Sequence, residues 1–225
     1  MKTLIFAIAS LTFAATTAFA AEDCFVDPGP GVDWSGCSKE KLMLTGGDMQ
    51  GANLTGTILN GSGFAEANLA GAKLDGAEIS RVSFKSANLS NASMEKASGS
   101  KVEFAGANLS GARLAKLDVS RSNFTGANLA GADLTKAELT RCDFAGADLS
   151  GAKLKLANLE RTSLTGATLT GADFTDTYLY RTLLAGADLS QASGLQQKQL
   201  DSACGDAKTK LPDGLVASSQ WPCEE

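Results

Sequence analysis

A large apolar residue recurs at every fifth position of this chain, from Leu44 to Leu189, without an insertion or deletion. Between Leu44 and Gly194, only Gly99 and Gly194 itself lack an apolar side chain at these central positions. The residue two places before each centre is almost always small, and glycine recurs two places after it. A period of five fits neither an α-helix, which repeats every 3.6 residues, nor a strand, which alternates every two. The pattern predicts a superhelical repeat whose five-residue units each form one short side of a coil.

Phenylalanine indicates how many sides the coil has. Five central phenylalanines are separated by twenty residues each, which makes four units per turn; they are Phe64, Phe84, Phe104, Phe124 and Phe144. Each unit sends one large and one small residue inward and places glycine at a tight corner. Successive coils then hydrogen-bond about 4.8 Å apart. The predicted fold is all-β: a quadrilateral parallel β-helix over residues 42–194, with a phenylalanine ladder along one inner face.

The five-residue unit also resembles a known family. The segments 67–71 and 127–131 read Ala-Asn-Leu-Ala-Gly, 107–111 reads Ala-Asn-Leu-Ser-Gly, and 147–151 reads Ala-Asp-Leu-Ser-Gly. These blocks are similar to the A-(D/N)-L-x-x unit of the pentapeptide-repeat family. The resemblance implies that family's right-handed, four-sided β-helix. It implies little about activity, because one fold supports many functions.

The first twenty residues have the pattern of a secretory signal peptide. Lys2 precedes an apolar run at 4–15, and Ala18-Phe19-Ala20 forms an A-x-A cleavage site. We expect cleavage after Ala20 and a periplasmic or secreted mature protein. The apolar run is too short to span a bilayer comfortably, so no membrane insertion is expected.

Five cysteines are expected to meet an oxidising compartment, where pairing is favoured. Cys24 and Cys37 precede the repeats, and Cys204 and Cys223 follow them. Four cysteines allow three connectivities; the local pairs are expected, because the ends of an elongated fold lie far apart. Cys142 falls at the small inward position of the phenylalanine face, which predicts a buried free thiol with a packing role.

Both ends of an open coil need a cap, because unpaired strand edges and an exposed core invite stacking into fibres. Residues 21–41 are predicted to form a disulfide-stapled loop with Trp34 as an aromatic plug. Residues 195–225 are predicted to form a C-terminal cap, with a short helix that turns Leu195 and Leu200 towards the coil. This tail resembles the cap of secreted pentapeptide-repeat proteins, with a disulfide that pins it. Capped ends predict a monomer.

Charged and amide side chains fall into columns at the same twenty-residue spacing. Six cations follow one corner and three lysines the preceding corner: Arg81, Lys101, Arg121, Arg141, Arg161 and Arg181, and then Lys96, Lys116 and Lys136. A further column of amides, which we expect to bond rung to rung as a structural ladder, comprises Asn68, Asn88, Asn108 and Asn128 and ends in Asp148.

The cation columns support two interpretations. One is a linear site for a polyanion, such as an acidic glycan, a cell-wall polymer or an acidic protein surface. The other is a salt-bridged face, because Glu78, Asp118, Glu138 and Glu160 lie on the same side. Stacked like charges about 5 Å apart repel by about 1 kcal/mol per exposed pair in water. Interleaved acids would therefore be a sufficient explanation for the columns.

Composition narrows the function classes. The net charge is −5, one unit more negative once Lys2 is removed, which argues against general nucleic-acid binding. The chain has no histidine, the commonest general base and metal ligand. We therefore expect no enzyme activity, metal or cofactor. The favoured interpretation is a non-catalytic structural or interaction protein of the cell envelope or exterior, whose partner is an unknown protein or an anionic polymer.

The resemblance supplies an alternative function. Some cytosolic members of the family mimic duplex DNA and protect DNA gyrase, with a markedly acidic rod and a helix that joins two rods. This chain differs in its export signal, its positively charged column and its stapled C-terminus. These differences disfavour the DNA-mimic interpretation.

Overall fold

The computed structural model describes residues 24–222. The predicted signal peptide, 1–20, lies outside the described residues. Residues just before each centre pair in parallel with the residue twenty positions later, from Asp33 with Asn53 to Asp173 with Ser193. This register confirms four pentapeptides per coil of a parallel β-helix. The regular strands among the described residues are β1, Ser98–Ser100, and β2, Asp118–Ser120, which pair in parallel.

A β-turn closes each corner of the coil. The carbonyl of the central residue accepts the N–H three positions later, as Leu54 does from Thr57 at 3.1 Å. The third turn residue has positive φ, for example Gly51 at 67°. A type II turn needs this conformation at its third position, and glycine adopts it without steric cost. The glycine two places after each centre therefore marks the corner.

The coil interior is filled by the central side chains. The five phenylalanines from Phe64 to Phe144 have no exposed surface. Their rings stack at centroid separations from 5.6 Å at Phe64–Phe84 to 4.4 Å at Phe124–Phe144, which confirms the ladder. Gly99 interrupts the central series because a Cβ there would lie 2.8 Å from the backbone of Ile79.

Small polar residues inside the coil satisfy their own hydrogen bonds. The hydroxyls of Thr57, Thr162 and Thr182 each donate to the carbonyl twenty-three residues earlier, at 2.7 Å. Cys142 lies at the equivalent position, and its Sγ donates to the Val119 carbonyl at 2.9 Å. It is a buried free thiol, as predicted. Burial raises the pKa of Cys142 to about 12.

The amide column forms a ladder over part of its length. Asn68 Nδ2 donates to Asp48 Oδ1 at 2.9 Å, and Asn88 and Asn108 continue the series at 3.2 and 3.3 Å. Asn128 Oδ1 accepts the Ala130 N–H, as the other amides of the column do from their own turns, but no rung-to-rung bond reaches Asn128 within residues 24–222. The predicted ladder thus runs from Asp48 to Asn108 and does not extend to Asp148.

The first coil begins inside the segment 21–41, which the sequence predicts as a cap. Trp34 takes a large inward position and is 1% exposed, while Cys37 takes a small one. The Trp34 indole donates to the Val26 carbonyl at 3.0 Å, and the Lys39 amine lies 3.9 Å from the ring centroid. Trp34 therefore closes the coil as its first rung rather than from a preceding loop.

Disulfides occur at both ends of the described chain. Cys24 and Cys37 are bonded, as predicted, with their Cα atoms 5.6 Å apart. Cys204 is also disulfide-bonded. Its expected partner, Cys223, lies outside the described residues.

The C-terminal cap breaks the twenty-residue register. Helix α1 spans Gln197–Leu200 and is shorter than the predicted helix that starts at Leu195. Gln199 Nε2 donates to the carbonyls of Phe174 and Thr177, at 3.0 and 2.8 Å, which satisfies acceptors of the last coil. Beyond α1 the chain pairs again, but with longer offsets: Leu183 with Cys204, and Asp188 with Lys210. No helix of the described chain is long and apolar enough to cross a membrane.

Candidate anion-binding corner

The cation ladder follows one corner of the coil; its members are Arg81, Lys101, Arg121, Arg141, Arg161 and Arg181. The lysine row follows the preceding corner and comprises Lys96, Lys116 and Lys136. All nine side chains are exposed. The ladder backbone is tied coil to coil: the Arg81 N–H donates to the Ser100 carbonyl at 2.9 Å, and Arg161 to Tyr180 at 2.9 Å. This pairing holds successive rungs in register, about 4.8 Å apart.

The ladder residues adopt a conformation that disfavours long side chains. Their φ values lie between 54° for Arg121 and 60° for Arg141. Of the fifteen non-glycine residues with positive φ in the described chain, ten are lysine or arginine. This conformation costs an L-residue roughly 1–2 kcal/mol. Glycine occupies the same corner at Gly61, so the backbone does not require a cation there.

The acids between the lysine row and the ladder make few direct ion pairs with these cations in the described chain. Among the ladder and lysine-row cations of residues 24–222, one lies within 4.0 Å of a carboxylate. It is Arg161, whose guanidinium is 3.8 Å from Glu160. Glu78 instead accepts from Asn60 Nδ2 at 3.3 Å, and Glu138 from Asn158 Nδ2 at 2.9 Å. The salt-bridged interpretation is therefore supported by a direct ion pair at one rung of the ladder among residues 24–222.

The lysine row and the ladder are the two edges of one side of the coil, and the residues next to each edge differ in chemistry. The carboxylates of Asp118 and Glu138 stand two positions after the lysine row in the chain. Hydroxyl residues immediately precede four of the ladder cations: Ser80, Ser100, Ser120 and Thr140. Hydroxyls donate hydrogen bonds to anionic oxygens, whereas carboxylates repel them. The ladder is therefore the better anion-binding edge.

A pocket that the sequence did not reveal lies at the C-terminal end of the ladder. Its volume is about 980 Å³, and its lining includes Arg161, Tyr180, Arg181, Leu183, Asp201 and Trp221. Tyr178 and Tyr180 are 52% and 41% exposed, and their rings stack at 6.3 Å. The Arg181 guanidinium lies 6.0 Å from the Tyr180 ring centroid. The sequence carries one signal for this pocket: the chain's two tyrosines lie two residues apart on one side of the coil.

The described residues 24–222 contain no cluster of three or more histidine, cysteine, aspartate or glutamate side chains that could hold a metal ion. The side chains that meet at the ladder and the pocket are instead cations, hydroxyls and aromatic rings. These groups bind anions and flat ligand faces.

The coil and its exposed corner define a class of protein: repeat proteins that present a rigid four-sided β-helix. A family model described as pentapeptide repeats matches consecutive segments from residue 31 to residue 179, in eight copies. The match covers well over half of the chain. The protein therefore belongs to the pentapeptide-repeat family.

Solved structures show the same fold. HetL, a pentapeptide-repeat protein involved in heterocyst differentiation regulation in the cyanobacterium Nostoc sp. strain PCC 7120, is 27% identical, with a TM-score of 0.50 over 83% of this chain and 92% of its own. A variant of QnrB1, a plasmid-mediated fluoroquinolone resistance protein, is 19% identical, with a TM-score of 0.53 over 81% and 92% of the two chains. Both are right-handed pentapeptide-repeat β-helices, the hand that the sequence implies. No curated protein sequence matches this chain.

Proposed function

We propose that this protein is an exported, non-catalytic binding protein that holds a linear anionic polymer along the cation ladder. The observation that carries the proposal is a column of six exposed cations, five of which have no carboxylate within 4.0 Å among residues 24–222. A polymer with repeated negative charges would relieve the repulsion between the rungs. Because the rungs are fixed by backbone pairing, binding needs to order the cationic side chains but not the backbone that carries them.

The cost of the ladder supports a binding role over a purely structural one. Each cation replaces a glycine-compatible corner residue at a conformational cost, and each adds like-charge repulsion to its column. Neither term stabilises the fold. A benefit outside the fold, namely affinity for an anionic partner, accounts for both.

Export is part of the proposal. The signal-like segment 1–20 supports it, and so do the disulfide between Cys24 and Cys37 and the disulfide-bonded Cys204, because such bonds persist in oxidising compartments. We place the protein in the cell envelope or outside the cell. Detection of a mature chain that begins at Ala21 in the periplasmic or culture fraction tests this placement.

The binding experiment removes the central ladder cations. We expect the triple variant Lys101→Gly, Arg121→Gly, Arg141→Gly to elute from a heparin resin at clearly lower salt than the wild type. Glycine suits positive φ, so the variant should keep its fold and thermal stability. Retention on the resin should also fall as ionic strength rises, because exposed charges are screened within about 10 Å at 0.1 M salt.

A matched control removes the same charge elsewhere. Lys73 and Lys85 are exposed on other sides of the coil and Lys208 is exposed in the tail, and none of the three forms an ion pair within the described chain. Their triple substitution by serine should leave heparin elution close to that of the wild type. If both triple variants elute alike, net charge rather than the ladder explains retention, and the proposal is wrong.

The DNA-mimic alternative remains a separate prediction. It requires an anionic surface, whereas the longest charge column here is cationic. Protection of DNA gyrase from a quinolone in a supercoiling assay would favour that alternative over ours.

A further inference from the structure

We infer that the pocket at the C-terminal end of the ladder binds the terminal residue of an acidic glycan, whose remaining sugars follow the ladder. This inference rests on the proposed function, since it names the polymer class and the end at which the polymer is held. Three kinds of group converge in the pocket.

The first two groups are an aromatic surface and cations. Tyr180 presents an exposed ring that stacks with Tyr178, which makes a flat platform for the apolar face of a sugar ring. Arg161 and Arg181, the last two rungs of the ladder, line the same pocket. A guanidinium binds a carboxylate or sulfate through paired N–H donors. A uronic or sulfated sugar meets both requirements at once.

The third group is a hydrogen-bond acceptor. Asp201 lines the pocket, and its Oδ1 accepts from Gln197 Nε2 at 2.9 Å. Its second carboxylate oxygen accepts no hydrogen bond within residues 24–222. Sugar hydroxyls donate to such an oxygen, whereas a bare inorganic anion would be repelled by it. The pocket therefore favours a ligand that carries both hydroxyls and a negative charge.

The far wall of the pocket is built by the tail. The Trp221 indole donates to the Ala203 carbonyl at 2.7 Å. Its ring covers Gly205 so closely that a Cβ there would lie 2.3 Å from the ring. The wall is thus held by a hydrogen bond and by close packing. It gives the pocket a depth that the flat sides of the coil lack.

On the side of the coil between the lysine row and the ladder, the turn that contains Tyr178 and Tyr180 carries aromatic residues, whereas the preceding turns do not. The positions of Tyr178 and Tyr180 are Asn158 and Glu160 one coil earlier, and Glu138 and Thr140 two coils earlier. Single-stranded nucleic acid is bound through one stacking surface per base along a cationic groove. A single tyrosine pair followed by cations and hydroxyls fits one terminal sugar and a charged chain, and the overall negative charge also disfavours nucleic acid.

The experiment measures digalacturonate binding by titration calorimetry, because this uronic disaccharide fills a terminal pocket without covering the ladder. We expect Tyr180→Ser to weaken binding about tenfold, the loss of one aromatic contact. Neutral galactobiose should bind far more weakly than digalacturonate. The ladder variant Lys101→Gly, Arg121→Gly, Arg141→Gly should bind digalacturonate like the wild type, since the pocket arginines remain.

A matched control and two ligands separate the outcomes. Phe25→Ser, which removes an exposed aromatic ring at the other end of the coil, should leave digalacturonate affinity unchanged. Unaltered binding by Tyr180→Ser, or tighter binding of a thymidine pentanucleotide than of digalacturonate, overturns the inference. Heparin retention without disaccharide binding refutes the pocket alone. Disaccharide binding without heparin retention refutes the ladder function alone.

Discussion

Each pentapeptide distributes its residues by a local geometric rule. The central side chain and the small residue two places earlier point inward, and the third turn residue is left-handed. Asp173 shows how the residue before the centre contributes, since its Oδ1 accepts the Thr175 N–H at 2.9 Å and supports the turn. The hydrogen bonds with Thr175 hold the pKa of Asp173 below its usual value. The preference for Asp or Asn before the central residue thus has a turn-stabilising cause.

Cys142 tests the small inward position. We expect Cys142→Thr to change the free energy of unfolding by less than about 1 kcal/mol, because Thr162 and Thr182 make the same carbonyl contact in this column. Cys142→Leu should destabilise by about 1–3 kcal/mol through overpacking. Urea unfolding followed by circular dichroism measures both. Equal midpoints for the two variants would contradict the packing role.

The raised pKa of Cys142, about 12, gives a second readout of the same burial. Because the pKa of the folded thiol is raised from 9.0 to about 12, its contribution to stability is present below pH 9 and is lost progressively as the pH rises from 9 towards 12. A thiol reagent at pH 8 should therefore label the unfolded chain and leave the folded protein unlabelled.

At the scale of elements, the sides of the coil and the C-terminal cap are stabilised differently. The sides repeat one hydrogen-bond register for every coil, from Asp33 to Ser193. The cap uses side chains instead: Lys210 Nζ contacts Asp188 at 2.8 Å, and Asp206 accepts the Gly186 N–H at 2.9 Å. Because carboxylates carry these contacts, we expect the cap to be sensitive to acid.

The pH dependence of the cap follows from Asp188. The hydrogen bond from Lys210 lowers the pKa of Asp188 to about 2, and the Gly186 N–H lowers the pKa of Asp206. A carboxyl with a depressed pKa stabilises the fold above its ordinary pKa near 4 and loses that contribution as the pH falls towards 2. We expect Trp221 fluorescence, in a Trp34→Phe background, to change over this interval.

The control for the acid transition is Asp188→Asn in the same background. This variant should show a loosened tail at pH 7 and a smaller change between pH 4 and pH 2. If the fluorescence change has the same amplitude with and without Asp188, other carboxyl groups cause the acid transition.

The whole molecule is a rod in which every coil touches only its two neighbours. Its stability is then the sum of the coils and their interfaces, so a defect in the middle affects both halves. Phe124 lies inside the aromatic ladder, 4.6 Å from Phe104 and 4.4 Å from Phe144 by ring centroids. Removal of the Phe124 ring would take away packing contacts from both neighbouring coils.

We expect Phe124→Ala to lower the free energy of unfolding by about 3–5 kcal/mol, the usual cost of removing a buried phenylalanine. Thr125→Ala, its exposed neighbour, should change stability by no more than about 0.5 kcal/mol. Denaturant unfolding measures both. A Phe124→Ala midpoint close to that of Thr125→Ala would mean that the ring is not part of the core.

Most of the coil was predictable because its repeat has no insertions. Position in the chain therefore maps directly to side, corner and coil, which placed Cys142, the phenylalanine ladder and the nine corner cations. The structure differs from two predictions. Trp34 is the first rung of the coil rather than a plug on a preceding loop, and the rung-to-rung bonds of the amide ladder end at Asn108 rather than at Asp148.

Sequence alone determined the number of sides, the inward residues and the cation columns, because these depend on a local period that the chain keeps strictly. Tertiary structure decided what surrounds the columns: which acids find other partners, and where the register changes to offsets such as Leu183 with Cys204. The pocket beside Tyr180 arises at that change, from α1 and a tail held by Trp221. No period describes these segments, so only their packing against the last coil positions them.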